Sequence, residues 1–255
     1  MFDSGPAACL GLRPHGWGVA LTVQLHSAEA TASPSQGAGH LHSFAYAQLK
    51  GRIVSNRYPG GTHILEEQLA ADLGISRTPL KEALVNLQAE GLVRMIPRRG
   101  VLVVPLTAAD IIEIYSVLEV LEDLAVRLIG EHEDNRADIK VLQDDVASMQ
   151  AALRENDLDR WAAADEHFHA QLVAASGNSR LIRAARTLLT QSQRFRLFTL
   201  RLREKPVKST RNHADLVRAL KAGDVGRARK IHAAQKVDWR GDMLALLAKF
   251  NITQI

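Results

Sequence analysis

A mainly α-helical protein is predicted, in which a small helix–helix–hairpin unit, a winged helix-turn-helix, leads into a larger all-helical bundle. Three observations predict it. Apolar residues recur at helical spacing through most of the chain beyond residue 43. The two β-rich runs, 92–96 and 101–104, lie side by side around Pro97-Arg98-Arg99-Gly100, as a hairpin requires. Aromatic residues are sparse at 5%, which favours helices packed through Leu, Ala and Val. With 255 residues the chain has room for two domains, at roughly 100–200 residues each.

The elements follow in order. Residues 1–40, rich in Gly, Ala, Ser and Pro, are expected to form a disordered extension; a translation start downstream of Met1 is the alternative left open. The stretch 7–25 leans apolar but is interrupted by Arg13, Pro14 and His15, and it lacks the positive start of a secretory signal. Phe44, Ala47, Leu49, Ile53 and Val54 predict a helix over 43–56. Tyr58-Pro59-Gly60-Gly61 then breaks the chain. A short helix over 65–73 ends at Gly74, where a left-handed residue is favoured. Ser76 is placed to cap the next helix, and Pro79 suits its first turn because the missing N–H would be unpaired there. That helix runs to about Glu90, and the hairpin completes a domain over 41–105.

Thr107 is a good cap for a long helix to about Gly130, with Ile111, Ile114, Leu118, Leu121 and Leu128 on its apolar side. Further helices are predicted over 136–155, 158–175, 179–203, 207–222 and 225–250. Polar or glycine-bearing turns such as Asn156-Asp157, Ser176-Gly177-Asn178 and Gly223-Asp224 separate them. No strand is expected after Val104, so residues 106–250 form an all-helical second domain.

Charge points to the partner of the first domain. The net charge is only +4, but from Ser43 to Pro105 the sequence carries eight cations against five anions. The second helix of the helix-turn-helix opens with Ser76, Arg77 and Thr78, and its N-terminus favours phosphate. Arg77 is placed to read a base, since bidentate Arg–guanine contact is the commonest specific one; Lys81 lies one turn on. Arg98, Arg99 and Gly100 at the hairpin tip suit backbone or minor-groove contact. Taken singly, each cation is equally well read as part of a solvated surface. Their joint placement at a helix start and a hairpin tip favours double-stranded DNA.

These residues resemble a known family. Tyr58-Pro59-Gly60-Gly61, Leu65-Glu66-Glu67-Gln68-Leu69-Ala70, Gly74-Ile75-Ser76-Arg77-Thr78-Pro79, Glu82-Ala83-Leu84, Glu90-Gly91-Leu92-Val93 and Pro97-Arg98-Arg99-Gly100 are similar to the winged helix-turn-helix of GntR-family transcriptional regulators. Lys81 stands where that family usually has Arg, which keeps the charge and loses the guanidinium fork. The resemblance implies a homodimer that binds a palindromic operator.

In the second domain Asp165 and His169 are four apart on one helix face, and His213 and His232 lie on the last two helices. One carboxylate with imidazoles suits Zn²⁺, Ni²⁺ or Mn²⁺, though such a pair is often a plain surface hydrogen bond, and spacing leaves both readings open. His167 points to another face and is read as non-ligating. Asp165-Glu166-His167-Phe168-His169, Ala175-Ser176-Gly177-Asn178, His213 with Ala219-Leu220, and Ala222-Gly223-Asp224 with Ala228 resemble the FCD ligand-binding domain of the FadR subfamily, in its VanR-like branch. That resemblance implies a small-molecule effector cavity floored by a divalent metal on Asp165, His169, His213 and a third histidine. Gln235 occupies the usual place of that histidine and His232 sits one turn earlier, so the metal is weak, moved onto His232, or absent. Leu118 replaces an arginine that pairs with an effector carboxylate in many relatives. Arg194 and Arg196 are candidates to replace its charge, against the simpler reading of salt-bridged or solvated surface residues.

Cys9 is the only cysteine, which excludes an intrachain disulfide and fits a reducing cytoplasm. No run of about 18 uncharged apolar residues is present, so no membrane span is expected. A metal-dependent hydrolase is the competing class, but no His-Glu-x-x-His or comparable spacing supplies a general base. The expectation is a cytoplasmic DNA-binding regulator, not an enzyme.

Overall fold

A computed structural model describes residues 38–132 and 135–255. The disorder expected for residues 1–40 therefore lies outside the described residues, except at its end. Residues 38–40 already belong to the first helix, α1 (Ala38–Val54), which starts earlier than the apolar pattern predicts. The rest of the first domain is β1 (His63–Ile64), α2 (Glu66–Leu73), α3 (Arg77–Ala89), β2 (Val93–Ile96) and β3 (Gly100–Val103). The antiparallel sheet has the order β1-β3-β2, with Val93 opposite Val103 and His63 opposite Leu102. β1 was not foreseen, because two residues are too few for an alternating pattern to show. One core unites the domain, with Leu49 and Ile53 of α1, Leu69 of α2, Leu80, Leu84 and Leu87 of α3, and Val93, Val101 and Val103 of the hairpin.

The second domain is α4 (Ala108–Glu131), α5 (Arg136–Glu155), α6 (Leu158–Ala174), α7 (Ser179–Leu200), α8 (Val207–Lys221) and α9 (Val225–Lys249). The residues that separate these helices also start them. Thr107 and Asp110 form a reciprocal capping box, and Asp157, Asn178 and Asp224 each accept the N–H of a residue two or three positions on. Each such cap is worth about 1 kcal/mol. α4 runs one residue beyond Gly130, which does not end it. A Cβ there would lie 2.2 Å from Val225 Cγ2, so this glycine lets the start of α9 approach α4.

Beyond α9 the chain returns to the junction between the domains. Leu106 and Ile255 exchange backbone hydrogen bonds at 2.9 Å, and Thr107 pairs with Gln254 in an isolated bridge. Arg194 of α7, buried, seals this corner: Nη1 donates to the Val104 carbonyl at 2.6 Å and Nη2 to the Ile255 carbonyl at 3.2 Å. A second tie lies at the end of α3. The buried carboxylate of Glu90 accepts from Tyr46 Oη at 2.5 Å and Lys50 Nζ at 2.9 Å on α1, and Arg186 of α7 approaches at 3.9 Å. Helix α7 thus touches the exit of α3 and the exit of β3.

Replacing Arg194 with Met keeps the apolar stem, strands the Val104 carbonyl and leaves the Ile255 carbonyl with only its bond from Leu106. Urea denaturation of Arg194→Met is expected to show a loss of about 1–3 kcal/mol with unchanged helicity by circular dichroism.

Candidate functional site

The DNA-facing residues come from local geometry. Gly74 adopts φ +64° and turns the chain between α2 and α3. Ser76 holds the N-cap position of α3 with extended backbone, but its side chain makes no cap hydrogen bond. Its hydroxyl is exposed, as are Arg77, Thr78 and Lys81, while Leu80, Ala83, Leu84 and Leu87 on the other face are buried. Arg77 lies 3.6 Å from Glu67, a pair so exposed that it contributes little. At the hairpin tip the Arg99 N–H bonds the Ile96 carbonyl and Arg98 takes φ +63°, which leaves both arginines exposed. Gly100 is required there: its φ is +83° and a Cβ would sit 2.4 Å from the Ile64 carbonyl oxygen of β1. The exposed cations and hydroxyls occupy the start of α3 and the wing tip, the two places from which this fold can reach a groove and its flanking phosphates.

The second constellation lies at the centre of the helical domain. Asp165 and His169 of α6 and His213 of α8 are buried, with one ligand atom from each within 4.8 Å of the others. Asp165 Oδ1 is 3.2 Å from His213 Nε2 and 3.8 Å from His169 Nε2. The other ring nitrogen of His169 is held at 2.8 Å by Glu122 of α4, a fully buried residue that sequence reasoning missed. An imidazole that donates Nδ1–H to a carboxylate presents its Nε2 lone pair to the cluster, the usual arrangement behind a metal-bound histidine. One oxygen and two nitrogen donors in this state fit a divalent ion of the zinc or nickel type.

His232 is not brought into this group. Its Nε2 lies 3.0 Å from Glu122 Oε2, and its Nδ1 is buried with no partner among the described residues. Lys236, one turn on, also bonds Glu122. Gln235 instead faces the cluster, 3.4 Å from His213 Nδ1. His167 turns away to Asp145 at 2.7 Å. Of the two arginines weighed as a replacement for the missing charge at Leu118, only Arg196 reaches the site, where its Nε is 3.2 Å from Asp165 Oδ2. Arg194 is committed to the domain junction, and neither is a solvated surface residue. Leu118 itself is fully buried core.

A chamber of about 20 Å³, space for roughly one water or ion, lies against Asp165, His169, Arg196, Gln235 and Lys236. It adjoins a cleft of about 540 Å³ between the α7–α8 connection and α9, and Arg203, Ser209, Gln235 and Trp239 line both. The cleft is within the size range of small-molecule sites. Tyr115, stacked on Trp239 at 3.7 Å, and Arg203 bring a hydroxyl and an Nε that are buried without partners among the described residues.

Sequence comparison places both halves. A profile described as "Bacterial regulatory proteins, gntR family" matches residues 41–103, and one described as "FCD domain" matches residues 113–234. The gluconate operon transcriptional repressor of Bacillus licheniformis is 31% identical over 69% of this chain and 74% of its own. The chain belongs to the GntR family. It is a transcriptional regulator with an FCD domain, and its relatives are regulators rather than enzymes. An uncharacterised HTH-type regulator from the TAR-I ttuE-ttuC' intergenic region of Agrobacterium vitis is 43% identical over 52% of this chain and 80% of its own. The fold is shared with Escherichia coli McbR/YncC, at a TM-score of 0.69 and 22% identity, over 82% of this chain and 98% of that one. Among the described residues no helix is long and apolar enough to cross a membrane.

In this GntR-family protein the buried charges respond strongly to one another. Burial alone raises the Glu122 carboxyl, but Lys236 and His169 outweigh it and hold it well below the usual carboxylate range. Burial likewise opposes ionisation of Asp165, and Arg196 and the bond from His213 win, so its carboxyl is also depressed. Burial lowers His169 to about 4 against the pull of Glu122, which keeps it neutral.

As pH falls below 6.5, the unfolded chain protonates this histidine while the native site resists until about 4, so native stability declines across that window. The two carboxylates add a further loss once pH drops below their unfolded values near 4. Metal-free protein is expected to lose a few kcal/mol between pH 6.5 and 4 in chemical denaturation, with His169 contributing about 3 kcal/mol at most. His169→Gln should flatten the upper part of that profile.

Proposed function

We propose that this protein is a cytoplasmic, homodimeric regulator whose grip on a palindromic operator is altered by an anionic metabolite in the helical domain, with a divalent metal on Asp165, His169 and His213. The observation that carries this reading is the α7 helix. Arg196 lines the chamber on one face, whereas Arg186 and Arg194 reach the end of α3 and the end of β3. A ligand that favours one placement of α7 over another is thereby linked to the spacing of the DNA-facing elements, and its differential affinity for the two placements sets the response.

The chemistry of the cleft supports an anion. Arg196, Arg203 and Lys236 line the chamber against the single carboxylate of Asp165. Arg203 Nε and Tyr115 Oη are donors that a carboxylate or hydroxyl could satisfy. A sugar acid is a natural first class to screen, given the gluconate operon repressor among the relatives. For DNA, Ser76, Arg77, Thr78 and Lys81 are assigned to the major groove and Arg98, Arg99 and Gly100 to the wing contact. The exposure of Ser76, Arg77, Thr78, Lys81, Arg98 and Arg99 beside an apolar, buried helix face supports that assignment, and Gly100 is included for its place in the wing turn.

Two measurements test the proposal. With duplexes selected from a random pool, Arg77→Ala should lose about tenfold to a hundredfold in affinity for the selected site while non-specific binding persists. Arg98→Ala/Arg99→Ala should weaken all duplexes and reduce the salt dependence by up to about two units of slope. In a thermal-shift screen of metals and small acids, gluconate or a related acid should raise the melting midpoint, and Arg203→Met should abolish the rise. No shift from any acid, with or without Zn²⁺ or Ni²⁺, would remove the effector part of the proposal.

A further inference from the structure

Four ionic side chains meet in the middle of the helical domain. Glu122 and Asp165 are the anions, and Lys236 and Arg196 are their buried partners. Lys236 of α9 bonds Glu122, and Arg196 of α7 lies 3.2 Å from Asp165 Oδ2. Each of these two carboxylates is thus answered by a buried cation, and Arg203 at the chamber adds a further positive charge, so neither carboxylate is left free to offset a metal ion. The three imidazoles, His169, His213 and His232, add donors and acceptors but no anion.

A divalent ion on Asp165, His169 and His213 would bring two further positive charges into this enclosed cluster. Its only anionic ligand, Asp165, is already answered by Arg196. Glu122, the carboxylate behind His169, is already answered by Lys236. Uncompensated charge in a low-dielectric interior is strongly unfavourable, and the excess must be met by an anion from solution. The open side of the chamber offers room and partners for one, through Arg203 and the Tyr115 hydroxyl, which has no partner among the described residues.

We infer that Lys236 makes metal and anion bind this site as a pair: the divalent ion binds weakly alone, and an anionic ligand tightens it. This rests on the metal reading proposed above and deepens it. By linkage the metal tightens the anion by the same factor, so the domain senses the combination and responds feebly to either component. The residue responsible is Lys236, because it cancels the charge of Glu122 that would otherwise offset half of the incoming ion.

The test is calorimetric titration of the full-length protein with Ni²⁺ in a non-coordinating buffer, without and with acetate as the anion. Wild type should bind weakly in plain buffer and at least about tenfold more tightly with acetate. Lys236→Met frees the charge of Glu122 and should bind Ni²⁺ at least about tenfold more tightly without acetate. Lys236→Met/Glu122→Gln restores the net charge of the wild-type site, keeps an acceptor for His169, and should return to weak binding. Lys236→Gln serves if the Met variant does not fold, as judged by circular dichroism. Equal Ni²⁺ affinity in wild type and both Lys236 variants, or a double variant as tight as the single one, overturns the inference and leaves the metal site standing. Failure of every variant to bind Ni²⁺ under any condition removes the metal reading itself, and this inference with it.

Discussion

The helical domain is organised around a carboxylate with no access to water. Glu122 is fully buried on α4, and burying an ionised carboxylate is tolerable only if its oxygens are saturated by donors. Three come from two other helices: His169 from α6, and His232 and Lys236 from α9. That demand fixes the rotation of α6 and α9 against α4 more tightly than apolar packing alone, which tolerates many similar arrangements. It also decides which nitrogen of His169 faces Asp165. The geometry of the Asp165–His169–His213 cluster is a consequence of the way one glutamate is satisfied.

The same reasoning explains the division of labour on α7. Arg194 and Arg196 are two residues apart, about 200° around a helix, so they leave opposite faces. One side chain holds the Val104 and Ile255 carbonyls, and the other holds Asp165. Glu90 adds a third anchor, since its bonds to Tyr46 and Lys50 tie the end of α3 to α1 while Arg186 approaches from α7. A rigid helix gripped on both faces is a direct physical connection between chamber and DNA-binding domain. Coupling through it requires a second arrangement of α7 of comparable energy, biased by both ends.

Much of this was legible in the sequence because it is local. The caps at Thr107, Asp157, Asn178 and Asp224 and the left-handed turn at Gly74 depend on a few consecutive residues, and they stand where the turn chemistry put them. The cluster of Asp165, His169 and His213 was also legible, through residue type, spacing and family resemblance. Glu122 was missed although a signal existed. It shares the stripe of Leu118, Ala125 and Ile129, so a charged residue was sitting on a buried helix face. Lys236 was similarly detectable beside His232 on the buried side of α9. The opposite faces of Arg194 and Arg196 followed from helix geometry alone and ruled out a shared role in one pocket. The destination of Arg194 did not follow, because it depends on the return of residues 251–255 to the domain junction.

Gln235 acquires a different meaning in this setting. Its side-chain amide lies against His213 Nδ1, on the side of the ring away from Asp165. An amide can meet that nitrogen in two ways. If its NH₂ donates to Nδ1, the imidazole proton sits on Nε2 and is directed at Asp165. If its carbonyl oxygen accepts from Nδ1–H, the Nε2 lone pair is released toward the chamber. A flip of one amide thus selects between a histidine that hydrogen-bonds Asp165 and one that can ligate a cation. A histidine at position 235 could do the same through its tautomers, but it would also compete as a ligand. Glutamine retains the orienting function and withdraws one imidazole from the set of potential ligands.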